Sequence, residues 1–236
     1  MDNIIPLISV IVPSVGRNTI ERTLDSIFEC RYPNIEVIVS FNNNSFKKSV
    51  QIQSKYPRAK VITIDDKLFP YEAKNRGIEI STGKYITFLD DDDTALPEKF
   101  FDLSKHLEDH PDTFAVFGQY NVRDCYTGKI KNTGCGGKDN PCFDTLIENN
   151  YIASGSIMFR NTEEIYFRET PHGWGEDYDM NLRLMAKYKI DYIETPVYCW
   201  TQNLIEGYTA TFKKNQIDWK PLTQDIIDHA KRNYKQ

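Results

Sequence analysis

The sequence lacks the features that mark a membrane span, a disulfide framework or a zinc site. No apolar run approaches the roughly 20 residues that a membrane-spanning helix needs. The five cysteines are an odd number and none form a Cys-x-x-Cys pair, so we expect reduced thiols. The apolar start, residues 4–12, follows Asp2 and contains Pro6, which is unlike a signal peptide. We therefore expect a cytoplasmic protein without a transmembrane segment, for which peripheral membrane contact stays open.

The chain also lacks an excess of positive charge. Its formal net charge is -5, so it has no general electrostatic attraction for nucleic acid or anionic lipid. An anionic ligand would need a local device, such as a metal ion or a helix N-terminus. With 236 residues, 40% hydrophobic and 27% charged, the composition is that of one globular domain.

Short apolar runs alternate with amphipathic segments in the first 90 residues. Residues 7–12, 36–40, 60–64 and 84–89 read as strands, and the segments between them have helical spacing. This alternation predicts βαβ units, a mostly parallel sheet flanked by helices and hence the α/β class. The second half is less regular, with predicted strands over 114–117, 156–160 and 191–194, a predicted hairpin over 121–132 and predicted helices after Pro97, over 176–188 and over 217–234.

Three polar loops follow predicted strands, at residues 14–17, 42–45 and 90–93. Ligands of open α/β sheets bind beyond the carboxyl ends of the strands, so we expect these loops to share one crevice. We treat the chain as a single domain, in which 1–93 is a ligand-binding half that carries these loops, 94–212 is a second half and 213–236 is a C-terminal helix.

Four consecutive aspartates, at positions 90–93, end the fourth predicted strand. Adjacent carboxylates raise one another's pKa unless a cation lies among them, and oxygen ligands favour Mg²⁺, Mn²⁺ or Ca²⁺. A solvated acidic loop that caps the next helix is the other interpretation. The buried strand before the cluster favours a binding site, because an exposed loop needs no rigid support.

A second acidic group opens the predicted helix at residue 176, after the segment Gly-Trp-Gly at 173–175. Glycine permits close backbone approach, and Trp174 could stack on a sugar face. Carboxylates at a helix N-terminus are stabilised in the ionised form that a general base requires. Simple helix capping explains the same residues.

The two acidic groups and the segments around them resemble family 2 glycosyltransferases of the GT-A fold. The resemblance covers roughly residues 7–200, and its segments occur in the family's order. They are residues 8–13 (ISVIVP), 23–33 with 36–40, 73–77 (AKNRG), 85–93 (YITFLDDDD), 154–156 (SGS) and 175–177 (GED).

This resemblance implies an inverting, metal-dependent hexosyltransferase that uses a nucleotide-diphosphate sugar, with a glycan or glycoconjugate as acceptor. Asp90 and Asp92 match the Asp-x-Asp positions, with Asp92 the direct ligand of Mn²⁺ or Mg²⁺. Asp177 matches the catalytic base. The implied donor-binding residues are Pro13, Ser14, Arg17, Asn42, Asn43, Lys74, Asp90 and Asp91. The implied acceptor-binding residues are Gly155, Trp174 and Glu176.

Two departures from the family pattern bear on the donor site. Asn42 and Asn43 stand where the family has an Asp that accepts from the base, and an amide donates as well as accepts. Uracil is still the base that we expect. The family's late His is absent from residues 200–203 (WTQN), where Gln202 or Asn203 would substitute. Asp93 is the aspartate that we expect to be structural, as a cap of the next helix.

Two other classes of function stay open. A nucleotidyltransferase should carry a glycine-rich loop after the first strand, where this chain has only Gly16. A catalytically silent nucleotide-sugar-binding module would bind nucleotide without transfer. A dehydrogenase is disfavoured, because no Gly-x-Gly-x-x-Gly follows a strand.

Overall fold

The computed structural model describes residues 5–42, 46–64, 69–135, 141–170, 175–202 and 219–234. These ranges contain nine strands and seven helices. The strands are β1 (Ile8–Ser14), β2 (Ile35–Asn42), β3 (Ala59–Ile64), β4 (Tyr85–Phe88), β5 (Thr94–Ala95), β6 (Ala115–Asp124), β7 (Ile130–Cys135), β8 (Ile157–Arg160) and β9 (Ile190–Gln202). The helices are α1 (Ile20–Glu29), α2 (Phe46–Lys55), α3 (Pro70–Glu79), α4 (Lys99–Asp109), α5 (Phe143–Glu148), α6 (Glu176–Met185) and α7 (Trp219–Asn233).

All nine strands join one sheet in the order β3-β2-β1-β4-β8-β6-β9-β5, with β7 paired to β6. The first four in this order are parallel, as the strand-helix alternation predicts. Strand β8 runs antiparallel to both β4 and β6, whereas β6 and β9 are parallel. The sheet therefore has a parallel half formed by the first 90 residues and a mixed half formed by the rest.

Two hydrophobic clusters cover the two faces of this sheet. Alternate residues of β1 divide between them: Val10 lies in the first cluster and Ile11 in the second. Leu24 of α1 and Leu103 of α4 pack in the first cluster, and Leu182 of α6 packs in the second. Helices thus protect both faces, which explains why the parallel strands are continuous apolar runs.

The sequence-predicted helices and strands are recovered with shifted ends. Helix α1 begins at Ile20, and Thr19 before it makes no side-chain cap bond. Helix α4 begins at Lys99, two residues after Pro97. The predicted hairpin is confirmed as β6 and β7, but β6 starts at Ala115 and is longer than predicted. The short helix α5 and strand β5 were not predicted.

The structure also bears on the predicted absence of a membrane span. Within the described ranges, no helix combines the length and the apolar character that crossing a bilayer requires.

Candidate functional site

The carboxyl ends of β1 and β4 diverge and open a crevice in the sheet. The N–H of Leu89 donates to the carbonyl of Ile11 at 3.0 Å, and β4 has already ended at Phe88. By strand alternation, the backbone nitrogen of Pro13 points to the same side as the Ile11 carbonyl. Strand β4 has ended at that level, so the N–H that proline lacks removes no hydrogen bond from the sheet. Since β2 and β4 flank β1 on opposite sides, this is the topological switch point at which α/β sheets bind ligands.

Asp91 is the anchor of the loop that follows β1. The Ser14 hydroxyl donates to Asp91 Oδ2 at 2.6 Å, and the N–H of Val15 donates to the same oxygen at 3.2 Å. Arg17 forms an ion pair with Oδ1. Asp91 is only 1% exposed, so its charge is compensated inside the fold. Both of its carboxylate oxygens already bind the loop after β1. Its direct contact with a nucleotide stays a prediction.

Asp93 is also structural, but it does not cap α4 as predicted. Its carboxylate accepts from the N–H of Thr201 on β9 at 2.7 Å, and its carbonyl accepts from the Thr23 hydroxyl of α1 at 2.7 Å. Helix α4 begins six residues later, at Lys99. Asp93 therefore ties the acidic loop to β9 and α1, and the cap prediction is wrong because a short strand, β5, intervenes.

Asp90 and Asp92 remain open to solvent. The Asp90 side chain is 48% exposed, and Asp92 is partly exposed. The Arg22 guanidinium binds the carbonyl oxygen of Asp92, at 2.7 Å, rather than its carboxylate. Burial and the neighbouring Asp90 raise the pKa of Asp92 to about 6, although Arg17 opposes the rise. The loop therefore holds more negative charge than the protein compensates.

The second acidic group lies at the start of α6. Gly175 precedes the helix with a φ of 76°, the left-handed region that glycine adopts without strain. Glu176 is buried, whereas Asp177 keeps part of its surface exposed. The N–H of Tyr178 donates to Asp177 Oδ1 at 2.8 Å, which orients the carboxylate.

Lys74 of α3 connects the two acidic groups. Its ammonium lies 2.9 Å from Glu176 Oε1 and 4.0 Å from Asp90 Oδ1, and it is almost fully buried. Burial alone would lower the pKa of Lys74, but Glu176, Asp90 and Asp177 outweigh it and raise the pKa above its ordinary value. A permanent cation thus joins the β4 loop to the start of α6.

Asp177 is the carboxylate of the second acidic group whose pKa is shifted toward neutral pH. Burial and the adjacent Glu176 raise the pKa of Asp177 to about 6, and Lys74 limits the rise. A carboxylate with this pKa is ionised at pH 7 and is more basic than an ordinary aspartate. This combination suits a general base for a hydroxyl.

Gly155 lies on a 3₁₀ turn, Ser154–Ser156, that borders the same cluster. The Ser154 hydroxyl lies 3.5 Å from the Lys74 ammonium. A Cβ atom on Gly155 would lie 2.7 Å from the Tyr198 ring, so only glycine fits this position without displacing the ring. The turn therefore approaches the cluster closely.

Several predicted site residues fall outside what the structure describes. Asn43 and Trp174 lie outside the described ranges, and so does Asn203. Asn42 closes β2 opposite Ile64, but only its backbone is described. Their predicted roles stay predictions. The remaining residues converge on the switch point, namely Pro13, Ser14, Arg17, Lys74, Asp90, Asp91, Asp92, Gly155, Glu176 and Asp177.

Sequence reasoning missed residues that hold the site from a distance. Arg22 binds both the Asp92 carbonyl and the Thr201 hydroxyl, the latter at 3.2 Å, and Ser154 approaches Lys74. Arg22 and Asp92 are 70 residues apart, and Arg22 looks like an ordinary polar residue of an amphipathic helix. No local pattern marks it, so tertiary structure is needed to find it.

The donor set suits a divalent cation that is shared with a ligand. Among the described residues, no group of three or more His, Cys, Asp or Glu side chains could hold a metal ion. Asp90 and Asp92 supply two carboxylates at most. Mg²⁺ sites of this kind use one or two carboxylates together with substrate phosphates and water. The uncompensated charge at Asp92 favours the same interpretation.

Comparison with known proteins agrees with this geometry. A family model described as "Glycosyl transferase family 2" matches residues 9–166. The UDP-Glc:alpha-D-GlcNAc-diphosphoundecaprenol beta-1,3-glucosyltransferase WfgD of Escherichia coli is 24% identical over 97% of this chain and 90% of its own length. The uncharacterized protein y4gI of Sinorhizobium fredii is 27% identical over 83% of this chain, which spans only 22% of that protein.

Solved structures show the same fold. S. aureus TarS 1-349 in complex with UDP superposes with a TM-score of 0.73 and 18% identity, over 98% of this chain and 67% of TarS 1-349. Its complex with UDP-GlcNAc gives a TM-score of 0.71 at 20% identity, over 87% of this chain and 60% of TarS 1-349. These likenesses confirm the predicted fold class, an α/β domain of the GT-A type.

Proposed function

Because this chain belongs to glycosyl transferase family 2, we propose that it transfers a sugar from a UDP-sugar to a hydroxyl of a glycan or glycoconjugate, with inversion at the anomeric carbon. Family membership confirms the predicted enzyme class, a glycosyltransferase. The donor, the metal, the stereochemistry and the residue roles are the content of the proposal.

The convergence on Lys74 is the observation that carries this proposal. Asp90 and Glu176 are far apart in sequence, yet one buried ammonium lies 4.0 Å from the first and 2.9 Å from the second. In a transferase, the donor site and the acceptor base must lie close enough together to hold the two reacting atoms at bond-forming distance. The Lys74 contacts support such an arrangement, because they bring the loop of Asp90 to the start of α6, where Asp177 follows Glu176.

The donor site is the crevice between β1 and β4. Ser14 and Arg17 are fixed by Asp91, so the loop after β1 presents a preorganised backbone to a nucleotide. Uridine is our choice because a similar protein of this fold was solved with UDP and with UDP-GlcNAc. The WfgD name, which states UDP-Glc, supports the same choice.

Asp92 and Asp90 would hold Mn²⁺ or Mg²⁺ beside the diphosphate. When bound, such an ion offsets the negative charge that develops on the leaving nucleotide diphosphate. Lys74, with its raised pKa, adds a fixed positive charge next to Asp90. The chain's own contribution there is a single fixed ammonium, held between Glu176 and Asp90.

Asp177 takes the proton of the acceptor hydroxyl. The hydroxyl oxygen attacks the anomeric carbon while the bond from that carbon to the diphosphate oxygen breaks. A single displacement inverts the configuration, and it requires one base and no covalent intermediate. The Tyr178 N–H fixes the Asp177 carboxylate, and Glu176 is placed to bind a second acceptor hydroxyl.

The test compares wild type with Asp177→Asn on a panel of UDP-sugars, with Mn²⁺ and octyl glycosides as acceptors. We expect wild type to release UDP and form the glycosylated product. Asp177→Asn should reduce transfer on the order of 10²–10⁴-fold at saturating donor, while UDP affinity stays unchanged. Asp109→Asn, on the exposed end of α4, is the matched control for the loss of one carboxylate.

The products separate this proposal from its rivals. Pyrophosphate release would indicate a nucleotidyltransferase. UDP binding without hydrolysis or transfer on any donor would indicate a silent binding module. Wild-type rates in Asp177→Asn would show that another group is the base.

A further inference from the structure

Lys99, the first residue of α4, is a buried lysine that the proposed mechanism does not use. It is 0% exposed, and its ammonium donates to the carbonyl oxygen of Gly155. Among the described residues, no carboxylate lies within ion-pair distance of this ammonium. Burial lowers the pKa of Lys99 to about 7, against the smaller opposing effects of Cys30 and Asp93. The fold thus keeps a poorly compensated cation in its interior.

The Ser154–Ser156 turn lies between two buried lysines. Lys99 binds the Gly155 carbonyl on one side, and Lys74 lies 3.5 Å from the Ser154 hydroxyl on the other. Gly155 also packs directly on the Tyr198 ring, and the Lys99 ammonium lies 5.9 Å from the centre of that ring. These contacts hold the turn in place beside the Lys74 ammonium, which joins Asp90 to Glu176.

We propose that Lys99 is a positioning residue for the acceptor: its ammonium fixes the Gly155 carbonyl and thereby the turn that contacts Lys74, the partner of Glu176. This inference rests on the proposed function, since it assigns the turn to the acceptor side of that site. Lys99 does not touch the reacting atoms. It acts through Gly155.

Burial makes the charged form of Lys99 costly, and its hydrogen bond to the Gly155 carbonyl offsets part of that cost. Methionine would remove the cost of burying the charge but would leave the Gly155 carbonyl without this donor, so the two effects on stability oppose one another. A buried lysine without a carboxylate partner departs from the usual folding rules, and such departures concentrate at functional sites. If Lys99 only stabilised the fold, its loss would lower the melting temperature and leave transfer unchanged.

The experiment uses Lys99→Met in the full chain, with Lys105→Met as the control. Lys105 lies on the same helix and its side chain is 75% exposed. Four quantities are measured: the melting temperature, the affinity for UDP, the hydrolysis of the UDP-sugar by water, and transfer to an octyl glycoside. Hydrolysis needs the donor site alone, whereas transfer also needs the acceptor in place.

For Lys99→Met we expect an unchanged or higher melting temperature, unchanged UDP affinity and hydrolysis within about twofold of wild type. Transfer should fall on the order of 10- to 100-fold, because an acceptor displaced by about 1 Å loses this much rate. Lys105→Met should match wild type. A parallel loss of hydrolysis and transfer, or a lower melting temperature with transfer retained, would overturn the proposal.

Two further measurements keep the test independent of folding and of the proposed function. Gly155→Ala displaces the same turn through Tyr198 and should show the same selective loss of transfer if Lys99→Met does not fold. The Ser156 amide donates to the Ala153 carbonyl at 2.8 Å, and its hydrogen exchange should accelerate about tenfold in Lys99→Met. An unchanged exchange rate contradicts the role of Lys99, whereas absence of wild-type transfer contradicts only the proposed function.

Discussion

At the scale of single residues, the four aspartates of the acidic loop have four different environments. Asp91 and Asp93 are buried and bound by the protein, whereas Asp90 and Asp92 face the crevice. The segment is a turn, closed by the Asp93 N–H donating to the Asp90 carbonyl at 3.0 Å, and the contacts of Asp91 with the β1 loop and of Asp93 with β9 produce this division. The sequence predicted the importance of the cluster, but four identical letters cannot show which carboxylates remain available.

The protonation of Asp177 leads to a prediction about pH. Because its pKa is raised to about 6 and a base must be ionised, kcat/KM for transfer should rise as pH increases through about 6 and level off above 7. Since Glu176 contributes to the rise in pKa, Glu176→Gln should move this limb to lower pH. A pH–rate profile of each protein measures the position of the limb in the wild type and its shift in Glu176→Gln.

Glu79→Gln, an exposed acid of α3, is the control and should leave the limb in place. A profile that is flat between pH 5 and 8 would contradict the assignment.

At the scale of elements, the approach of α3 to β1 positions Lys74. Gly77 faces Ile11 so closely that a Cβ atom would lie 2.5 Å from Ile11 Cγ2. Lys74 lies three residues before Gly77, close to one turn of the helix, so the same close approach brings its ammonium into the crevice. A larger residue at position 77 would move the helix away from the sheet.

Gly77→Ala should therefore lower the free energy of unfolding by about 1–3 kcal/mol, through overpacking. In an open helix the same change would raise stability by about 1 kcal/mol, so the sign is diagnostic. Urea denaturation measures the effect. Combination with Ile11→Ala should cost less than the sum of the two single changes, because the double variant removes the clash. A stabilised Gly77→Ala protein would show that the helix tolerates the added methyl group.

The ends of the elements were the least accurate part of the sequence-based prediction. Strand β9 runs from Ile190 to Gln202, although only residues 191–194 were predicted as strand. Its second half is extended because it pairs with both β6 and β5. Pairing of this kind depends on partners that are distant in sequence, and a local pattern does not contain them.

At the scale of the whole molecule, the site exists because one sheet collects distant segments. The parallel half brings residues 14–17 and 90–93 together, and the mixed half adds the Ser154–Ser156 turn. Helix α6, which packs on one face of the sheet, contributes Glu176 and Asp177, and Lys74 links it to the acidic loop. Ligand binding should therefore stabilise the folded chain as a unit.

Mn²⁺ together with UDP should raise the melting temperature. At 100 times the dissociation constant, a ligand adds about 2.7 kcal/mol of stability. For a chain of this size that corresponds to a shift of roughly 5–10 °C. Asp92→Asn should abolish the part of the shift that depends on Mn²⁺ and retain the part produced by UDP alone. Thermal melts with Mn²⁺ or with a chelator measure the two parts, and Asp109→Asn is the control. Equal shifts with metal and chelator would exclude a shared metal site.

The sequence by itself determined the parallel strands, the position of the acidic loop at a strand end and the acidic start of α6. These features are local, because hydrophobic period, glycine and neighbouring charges act within a few residues. Only the tertiary structure decided that Asp91 serves the fold, that Asp93 binds β9 and α1 instead of capping α4, that Lys74 joins the two acidic groups and that Lys99 binds the Gly155 carbonyl. Each of these is a contact between buried charged or polar groups far apart in sequence. Such contacts form because a group removed from water must find a partner, and the fold decides which partner is within reach.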